Sequence, residues 1–405
     1  MIRGVAFDFD GGLVEEDTSK PIRGIRTLIE GLHDRHIVVA AISGRTLSDV
    51  GLRAARSGLA IDHVVTRDIP NATKGSGRLI ARFGSDAGLQ PCEVAAVVTD
   101  EYGFREAINA PVLSFRAGWA QFMGQYSLRL DNPSELLEYL DLFFLKTHHW
   151  FAAYDGSDAL GRDIRLRALI DGNGAGRGSI RNAILAALKD KRDTHLYGAS
   201  FSRILVMHLV ASMYLEGLLC EGRNKADCVI YPGHSTISQP PPVIEAALVG
   251  LKFVRTNFPK NALVRWSDAV HSSKSRIERQ HHRVLFANQP SSVYVPASYK
   301  VTGKRVFVLD DFTTDGFSLE AARNLLLESG AERVTALAFG KYPKRHTIAV
   351  PDPRNALKPH EQRRYTDDDF NLSSVQAVED AAALSEFADL VPRLEGSSIG
   401  SKLFT

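Results

Sequence analysis

The sequence predicts an α/β protein built from two domains, and three observations lead to that reading. The chain has 405 residues with 44% hydrophobic side chains, enough for two separate cores. Residues 4–7 form an apolar run that ends in Asp8-Phe9-Asp10-Gly11-Gly12, and residues 306–309 form a second apolar run that ends in Asp310-Asp311. A short apolar run closed by an acidic turn marks an inner strand of a parallel sheet, whose carboxyl end is where such sheets bind ligands.

The remaining elements follow in order. The apolar run 37–42 ends at Ser43, Lys74 stands just ahead of a helical pattern, and the run 94–98 leads to Asp100. A helix over 133–144 completes the first unit, which places the first domain at residues 1–145. Residues 154–167 read as a hairpin or strand-loop segment. The glycine-rich stretch 171–178 reads as a linker, because no Gly-Lys-Ser follows it. Helices are expected over 179–189, 202–221, 242–256 and 319–328, with a strand over 227–231, giving a second domain of residues 146–345. Beyond it, residues 346–371 are rich in Pro, Arg, Asp and Gln and read as irregular, 374–390 have helical spacing, and 395–405 are expected to be mobile. Residues 346–405 are thus an extension with one helix.

Composition narrows the function classes. A formal net charge of +2 indicates no bulk attraction to nucleic acid, although Lys274, Arg276, Arg279 and Arg283 form a local basic stripe beside His271, His281 and His282. Cys92, Cys220 and Cys228 lack metal-ligand spacing and read as reduced core thiols. The most apolar helix, 202–219, is interrupted by Arg203, His208 and Glu216, so it is expected to pack amphipathically rather than span a membrane. The expected compartment is cytoplasmic. Adjacent His148 and His149 in an extended segment point to opposite faces and are not expected to share one ion.

The first acidic turn suits phosphoryl transfer. Two aspartates separated by one residue, just past a buried strand, can divide the work: Asp8 attacks phosphorus, and Asp10 protonates the leaving oxygen and later activates water. The arrangement resembles motif one of the haloacid dehalogenase superfamily. That resemblance implies that Ser43 holds a phosphoryl oxygen, that Lys74 neutralises the nucleophile and the transferring group, and that Mg²⁺ is bound by Asp8, the Asp10 carbonyl and Asp100. Two positions depart from the pattern. Gly12 stands where the superfamily usually has Thr or Val, and Phe104 stands where a further acid is expected, leaving Glu101 as a substitute. About thirty residues separate Asp10 from Ser43, and again Ser43 from Lys74, room for one helix and one strand but no cap domain. The fold expected is a capless Rossmannoid sheet.

The second acidic turn suits a sugar phosphate. Asp310 and Asp311 can hold ribose hydroxyls, while Thr314, Gly316 and Ser318 offer hydroxyls and backbone N–H groups to a phosphate at a helix start. The order resembles the phosphoribosyl-pyrophosphate signature of type I phosphoribosyltransferases, implying a second parallel sheet over roughly residues 151–342. Asp315 departs from that signature: its charge faces an incoming phosphate, and like charges a few ångströms apart repel by roughly 4 kcal/mol at an effective dielectric near 20. The loop 232–238, which in that family grips pyrophosphate, contains no Lys or Arg. Lys274, Arg276 and Arg279 either supply the missing charge from a mobile loop or form a solvated basic helix.

Together the two resemblances imply a bifunctional Mg²⁺-dependent phosphohydrolase and phosphoribosyltransferase-like enzyme acting on a nucleotide or phosphoribosyl metabolite. The alternative is a nucleotide- or phosphoribosyl-sensing regulator, or an effector of a bacterial stress or phage-defence system. A small-molecule ligand is expected in either case, and a homo-oligomer or protein partner is open.

Overall fold

The computed structural model describes residues 1–405 apart from residues 71, 121–126, 173–181, 185, 191–192, 197–198, 222–225, 238, 252–255, 270–284, 343–344 and 405. The first domain alternates strands and helices: β1 (Gly4–Asp8), α1 (Ile25–His33), β2 (Val38–Ser43), α2 (Leu47–Ser57), β3 (His63–Thr66), α3 (Arg78–Ala87), β4 (Val94–Val98), α4 (Glu101–Asn109), β5 (Leu113–Ala117), β6 (Leu128–Leu130) and α5 (Glu135–Tyr139), which continues as a π turn over Leu140–Phe144. Its sheet has the order β3-β2-β1-β4-β5-β6 and is parallel throughout. Every residue of β1 and β4 is buried, as their unbroken apolar runs require of strands covered on both faces. The chain leaves β1 toward β2 on one side and crosses to β4 on the other, so the crevice lies at the carboxyl ends of β1 and β4. That reversal brings Asp8 and Asp100 together.

The second domain contains β7 (Ala152–Ser157), β8 (Asp163–Asp171), α6 (Phe201–Leu215), β9 (Ala226–Ile230), α7 (Pro242–Gly250), β10 (Thr256–Asn257), β11 (Arg305–Thr313), α8 (Phe317–Glu328), β12 (Arg333–Lys341), β13 (His346–Pro351), β14 (Phe370–Val375), β15 (Val378–Glu379) and α9 (Ala382–Arg393). Its sheet runs β10-β9-β11-β12-β8-β7-β15, parallel from β10 to β8 and antiparallel at β7 and β15. The strand bearing Asp310-Asp311 is therefore an inner strand of a parallel block.

Four sequence expectations need correction. Thirteen of the fifteen residues of α6 are buried, so the helix is not amphipathic; it packs on the 140–144 turn of the first domain and on α7 of the second, and water reaches neither side. Residues 346–371 are not irregular throughout: β13 and β14 pair antiparallel at their two ends, with Ile348 and Val350 packed against Ile164 and Ala349 buried in the second domain's core. The strand β15 and the later start of α9 also replace the helix expected from residue 374. The last residues are not loose. Ile399, Leu403 and Phe404 are buried, Lys402 Nζ lies 2.8 Å from both Asp131 and Glu135, and Ser397 and Ser398 donate to Glu138. The chain end thus returns to the first domain, and the two domains share one apolar cluster. No helix among the described residues is long and apolar enough to cross a membrane. The linker expected over 171–178 falls largely outside the described residues, whereas within the helix expected over 179–189 residues 182–184 are helical and Ala186–Asp190 form a π turn.

Candidate active site

Asp8, Asp10, Ser43, Lys74 and Asp100 meet at one sheet edge because each follows a strand or opens a helix of the same sheet. Lys74 Nζ lies 3.0 Å from Asp8 Oδ1 and 3.0 Å from Asp100 Oδ2. Asp8 is 4% exposed, and its second oxygen accepts the Thr99 N–H at 2.8 Å and the Thr99 hydroxyl at 3.1 Å. Asp100 caps α4, its Oδ1 accepting the Gly103 N–H at 2.6 Å. The cleft above them encloses about 700 Å³ and is lined by Asp10, Ser43, Lys74, Thr99, Asp100 and Trp119, among others. Trp119 forms one wall and donates its indole N–H to the Gly11 carbonyl at 3.1 Å. Ser43 Oγ accepts the Arg45 N–H at 3.2 Å and faces the cleft.

The electrostatics follow from burial and charge. Burial pushes the Asp8 carboxyl above its ordinary range and Asp100 adds to the rise, while Lys74 and the Thr99 N–H oppose it. For Lys74, burial works against the charged form, but the two carboxylates outweigh it and the ammonium is held above its ordinary value. Lys74 therefore stays charged. Asp10 is gripped from two sides: Arg53 reaches its Oδ1, and Arg45 Nε lies 3.1 Å from Oδ2.

Several site residues escape sequence reasoning. Thr99, Arg45 and Arg53 belong to no spacing rule. Glu106 of α4 is fully buried and accepts backbone N–H groups of Gly75 at 2.7 Å, Gly77 at 2.9 Å, Leu79 at 2.7 Å and Ile80 at 3.2 Å, so it fixes the turn that carries Lys74 and caps α3. A lone carboxylate beside buried Ala107 and Ile108 was its only sequence signal. Two glycines allow close approach. A Cβ at Gly12 would lie 2.1 Å from the Asp8 carbonyl oxygen, and one at Gly103 would lie 2.2 Å from Asp8 Oδ2. Glu101 is exposed and pairs with Arg105 at 3.0 Å, and Phe104 packs beside the apolar cluster under the sheet.

The residues fit a hard divalent cation. Two carboxylates converge on a single positive charge, that of Lys74, and the Asp10 carbonyl is oriented beside them by the Thr99 hydroxyl at 3.2 Å, an all-oxygen donor set.

In the second domain, Asp310 and Asp311 lie within β11, which runs on to Thr313, rather than in a turn after residue 309 as the sequence suggests, and Asp310 Oδ1 accepts the Asp311 N–H at 2.9 Å. Burial and the Asp311 charge push the Asp310 carboxyl well above its ordinary range. Gly316, at φ +83°, is the N-cap of α8 and supplies no side-chain cap, while Ser318 lies inside the helix. The Thr314 carbonyl accepts from buried Lys341 at 2.9 Å, and the Asp315 carbonyl accepts the Thr347 N–H at 2.8 Å. The His346 ring covers Gly316 so closely that a Cβ there would lie 2.1 Å from it. Arg265 brings a cation that sequence spacing missed: it donates to the Gly233 and Pro232 carbonyls of the loop after β9, and its charge acts on Asp310. Lys274, Arg276 and Arg279 fall outside the described residues.

Among solved structures, the first third of the chain is similar to a haloacid-dehalogenase-superfamily hydrolase from Ehrlichia chaffeensis, at 13% identity over 35% of this chain and 98% of that one, with a TM-score of 0.31. It is also similar to a superfamily hydrolase of subfamily IA from Geobacter sulfurreducens, at 15% identity over 34% of this chain and 99% of that one, TM-score 0.29. A third is the cobalt-bound deoxy-D-mannose-octulosonate 8-phosphate phosphatase from Haemophilus influenzae, at 21% identity over 29% of this chain and 69% of that one, TM-score 0.24. No family model matches the chain, and no curated protein does.

Proposed function

We propose that the first domain is a Mg²⁺-dependent phosphohydrolase that works through a phosphoaspartyl intermediate. The observation that supports it most is the convergence of Asp8, Asp100 and Lys74 around one buried point beneath an open cleft, with contacts of 3.0 Å. An Asp8 oxygen forms a bond to phosphorus as the bond to the leaving oxygen breaks, and Asp10 delivers a proton to that oxygen. Water then attacks the same phosphorus, Asp10 takes its proton, and the Asp8 carboxylate is released with phosphate. Ser43 and Lys74 hold the phosphoryl oxygens, and Lys74 offsets their charge. Asp8, Asp100 and the Asp10 carbonyl would hold Mg²⁺, which would supply charge neutralisation at the phosphoryl group. Arg45 and Arg53 orient Asp10. Residues 9–24 and Trp119, rather than an inserted cap, wall the cleft among the described residues.

The test is a Mg²⁺ titration of phosphate release. Asp100→Ala raises the Mg²⁺ requirement more than Glu101→Ala does, because Asp100 reaches the cleft while Glu101 is engaged outside it with Arg105. Equal or reversed effects contradict the assignment.

A phosphoribosyl ligand in the second domain is the companion reading, and the uncapped amino terminus of α8 beside Asp310-Asp311 favours it. The substrate class that joins both sites is a nucleotide or phosphoribosyl metabolite. Whether the second site turns such a ligand over or senses it is decided by pyrophosphate release from phosphoribosyl pyrophosphate: release supports the transferase, and binding without release supports the regulator.

A further inference from the structure

Outside the cleft, the described residues bring together His148, His208 and Glu386, whose ligand atoms all lie within 4.8 Å of one another. They come from three places: the segment after the first domain, the all-round buried helix α6, and α9. The three side chains are 4%, 0% and 7% exposed. His149 turns away, pairing with Asp380 at 2.7 Å, so the adjacent histidines diverge although the segment is not a strand. The partners of His148 arrive from distant sequence, which a spacing rule does not see.

Several buried atoms of this cluster lack hydrogen-bond partners among the described residues. His148 Nε2 lies 2.5 Å from the Phe143 carbonyl, which can only accept, so Nε2 bears the proton. With the proton on Nε2, Nδ1 of the neutral ring is the nitrogen open to a ligand. That nitrogen faces Glu386 Oε1 at 3.1 Å, another acceptor. Ser212 Oγ lies 3.0 Å from Nδ1 and 2.9 Å from the His208 carbonyl, so its single hydroxyl hydrogen is shared between two acceptors. Neither ring nitrogen of His208 has a hydrogen-bond partner among the described residues, and Nδ1 lies 3.9 Å from Glu386 Oε1. Buried polar atoms without partners call for an explanation, and an ion is one.

We propose that His148 Nδ1, a ring nitrogen of His208 and Glu386 Oε1 bind a divalent transition-metal ion of the zinc class at the seam between the domains. Two imidazoles and one carboxylate form a donor set that zinc accepts, and an imidazole whose far N–H is tied to a backbone carbonyl is already oriented for it. Tetrahedral zinc with bonds of about 2.1 Å sets its donors roughly 3.4 Å apart, so closure takes on the order of an ångström of side-chain movement. Lys146 Nζ, 3.2 Å from Glu386 Oε1, offsets the carboxylate before the ion binds and swings outward when it does. The bound ion ties the 141–149 segment, α6 and α9 into one unit.

The test uses the full chain, stripped with a chelator and titrated with Co²⁺ and then Zn²⁺. One equivalent of Co²⁺ with the intense visible bands of a four-coordinate nitrogen-containing site is expected, displaced by Zn²⁺ and accompanied by a higher Tm. Asp100→Asn, which weakens the oxygen-rich cleft, leaves these bands unchanged. Glu386→Gln preserves the shape and the acceptor for the His149 N–H, and should weaken zinc binding at least tenfold; His208→Gln provides the same reading if the first variant unfolds. Absence of zinc binding, or equal zinc affinity in wild type and both variants, overturns the proposal.

Discussion

The Glu106 carboxylate accepts the Gly75 N–H at 2.7 Å, and through that turn a residue on α4 sets the position of Lys74. Glu106→Gln keeps the size of the side chain but turns an amide NH₂ toward backbone donors. Losing one to two charge-assisted hydrogen bonds costs roughly 3 kcal/mol. The expected result is a lower urea midpoint with an unchanged m-value. Phosphate release measured well below the unfolding transition should fall as well, because the Lys74 turn loosens.

Gly103 offers a sharper probe of the nucleophile role proposed for Asp8. Alanine at an interior helix position ordinarily stabilises by up to about 1 kcal/mol relative to glycine. Here its Cβ would lie 2.2 Å from Asp8 Oδ2, so Gly103→Ala displaces the carboxylate. A loss of about 10²-fold in kcat, with the fold retained, is expected from a misplacement of that size. A variant as active as wild type would mean that Asp8 is not positioned against α4 during turnover.

Much of this cleft was legible in the sequence because Asp8, Ser43 and Asp100 each end or follow an apolar strand, and parallel strands deliver their carboxyl ends to one edge. The supporting residues were not legible. Arg45, Arg53 and Glu106 act across elements, where tertiary packing rather than local period decides the neighbour. Gly12 is explained only by the path of the backbone over the Asp8 carbonyl. The chain end was misread for a different reason: Pro353, Arg354 and Pro359 dominate the local composition of a stretch whose flanks pair as the buried β13 and the largely exposed β14, and the closing residues carry only a few apolar anchors, Ile399, Leu403 and Phe404.

His346 predicts an acid-sensitive fold. Burial, with Lys341 and Arg323 adding to it, lowers the imidazolium from 6.5 to about 3. The folded state keeps the ring neutral while the unfolded state takes up a proton below about pH 6.5, so stability is full above that value and falls as the pH drops toward 3. The slope is about 1.4 kcal/mol per pH unit, or about 2 kcal/mol lost by pH 5 from this residue. Denaturant unfolding at pH 7 and pH 5 checks it: His346→Gln, whatever its own stability, should show a shallower loss between the two.

Asp315 is expected to weaken any phosphate ligand of the second domain. Asp315→Thr removes the like charge and should tighten phosphoribosyl pyrophosphate binding. Replacing Asp310 and Asp311 together by asparagine should weaken it, since each charge-assisted hydrogen bond contributes about 1.5–3 kcal/mol. Calorimetry with wild type and both variants reads the two directions; absence of binding by wild type and by Asp315→Thr would show that the pocket takes no such ligand.

The most direct measurement of the phosphohydrolase reading is phosphate release from a generic phosphomonoester by wild type and Asp8→Asn, with the wild-type reaction quenched in acid and the peptide carrying Asp8 weighed for a phosphoryl adduct. The substitution removes the attacking charge and keeps the shape, so the expected result is an adduct on Asp8 in wild type and a rate in Asp8→Asn reduced by several orders of magnitude. An Asp8→Asn protein that keeps more than about a tenth of the wild-type rate, a difference of only about 1.4 kcal/mol in the barrier, would contradict it.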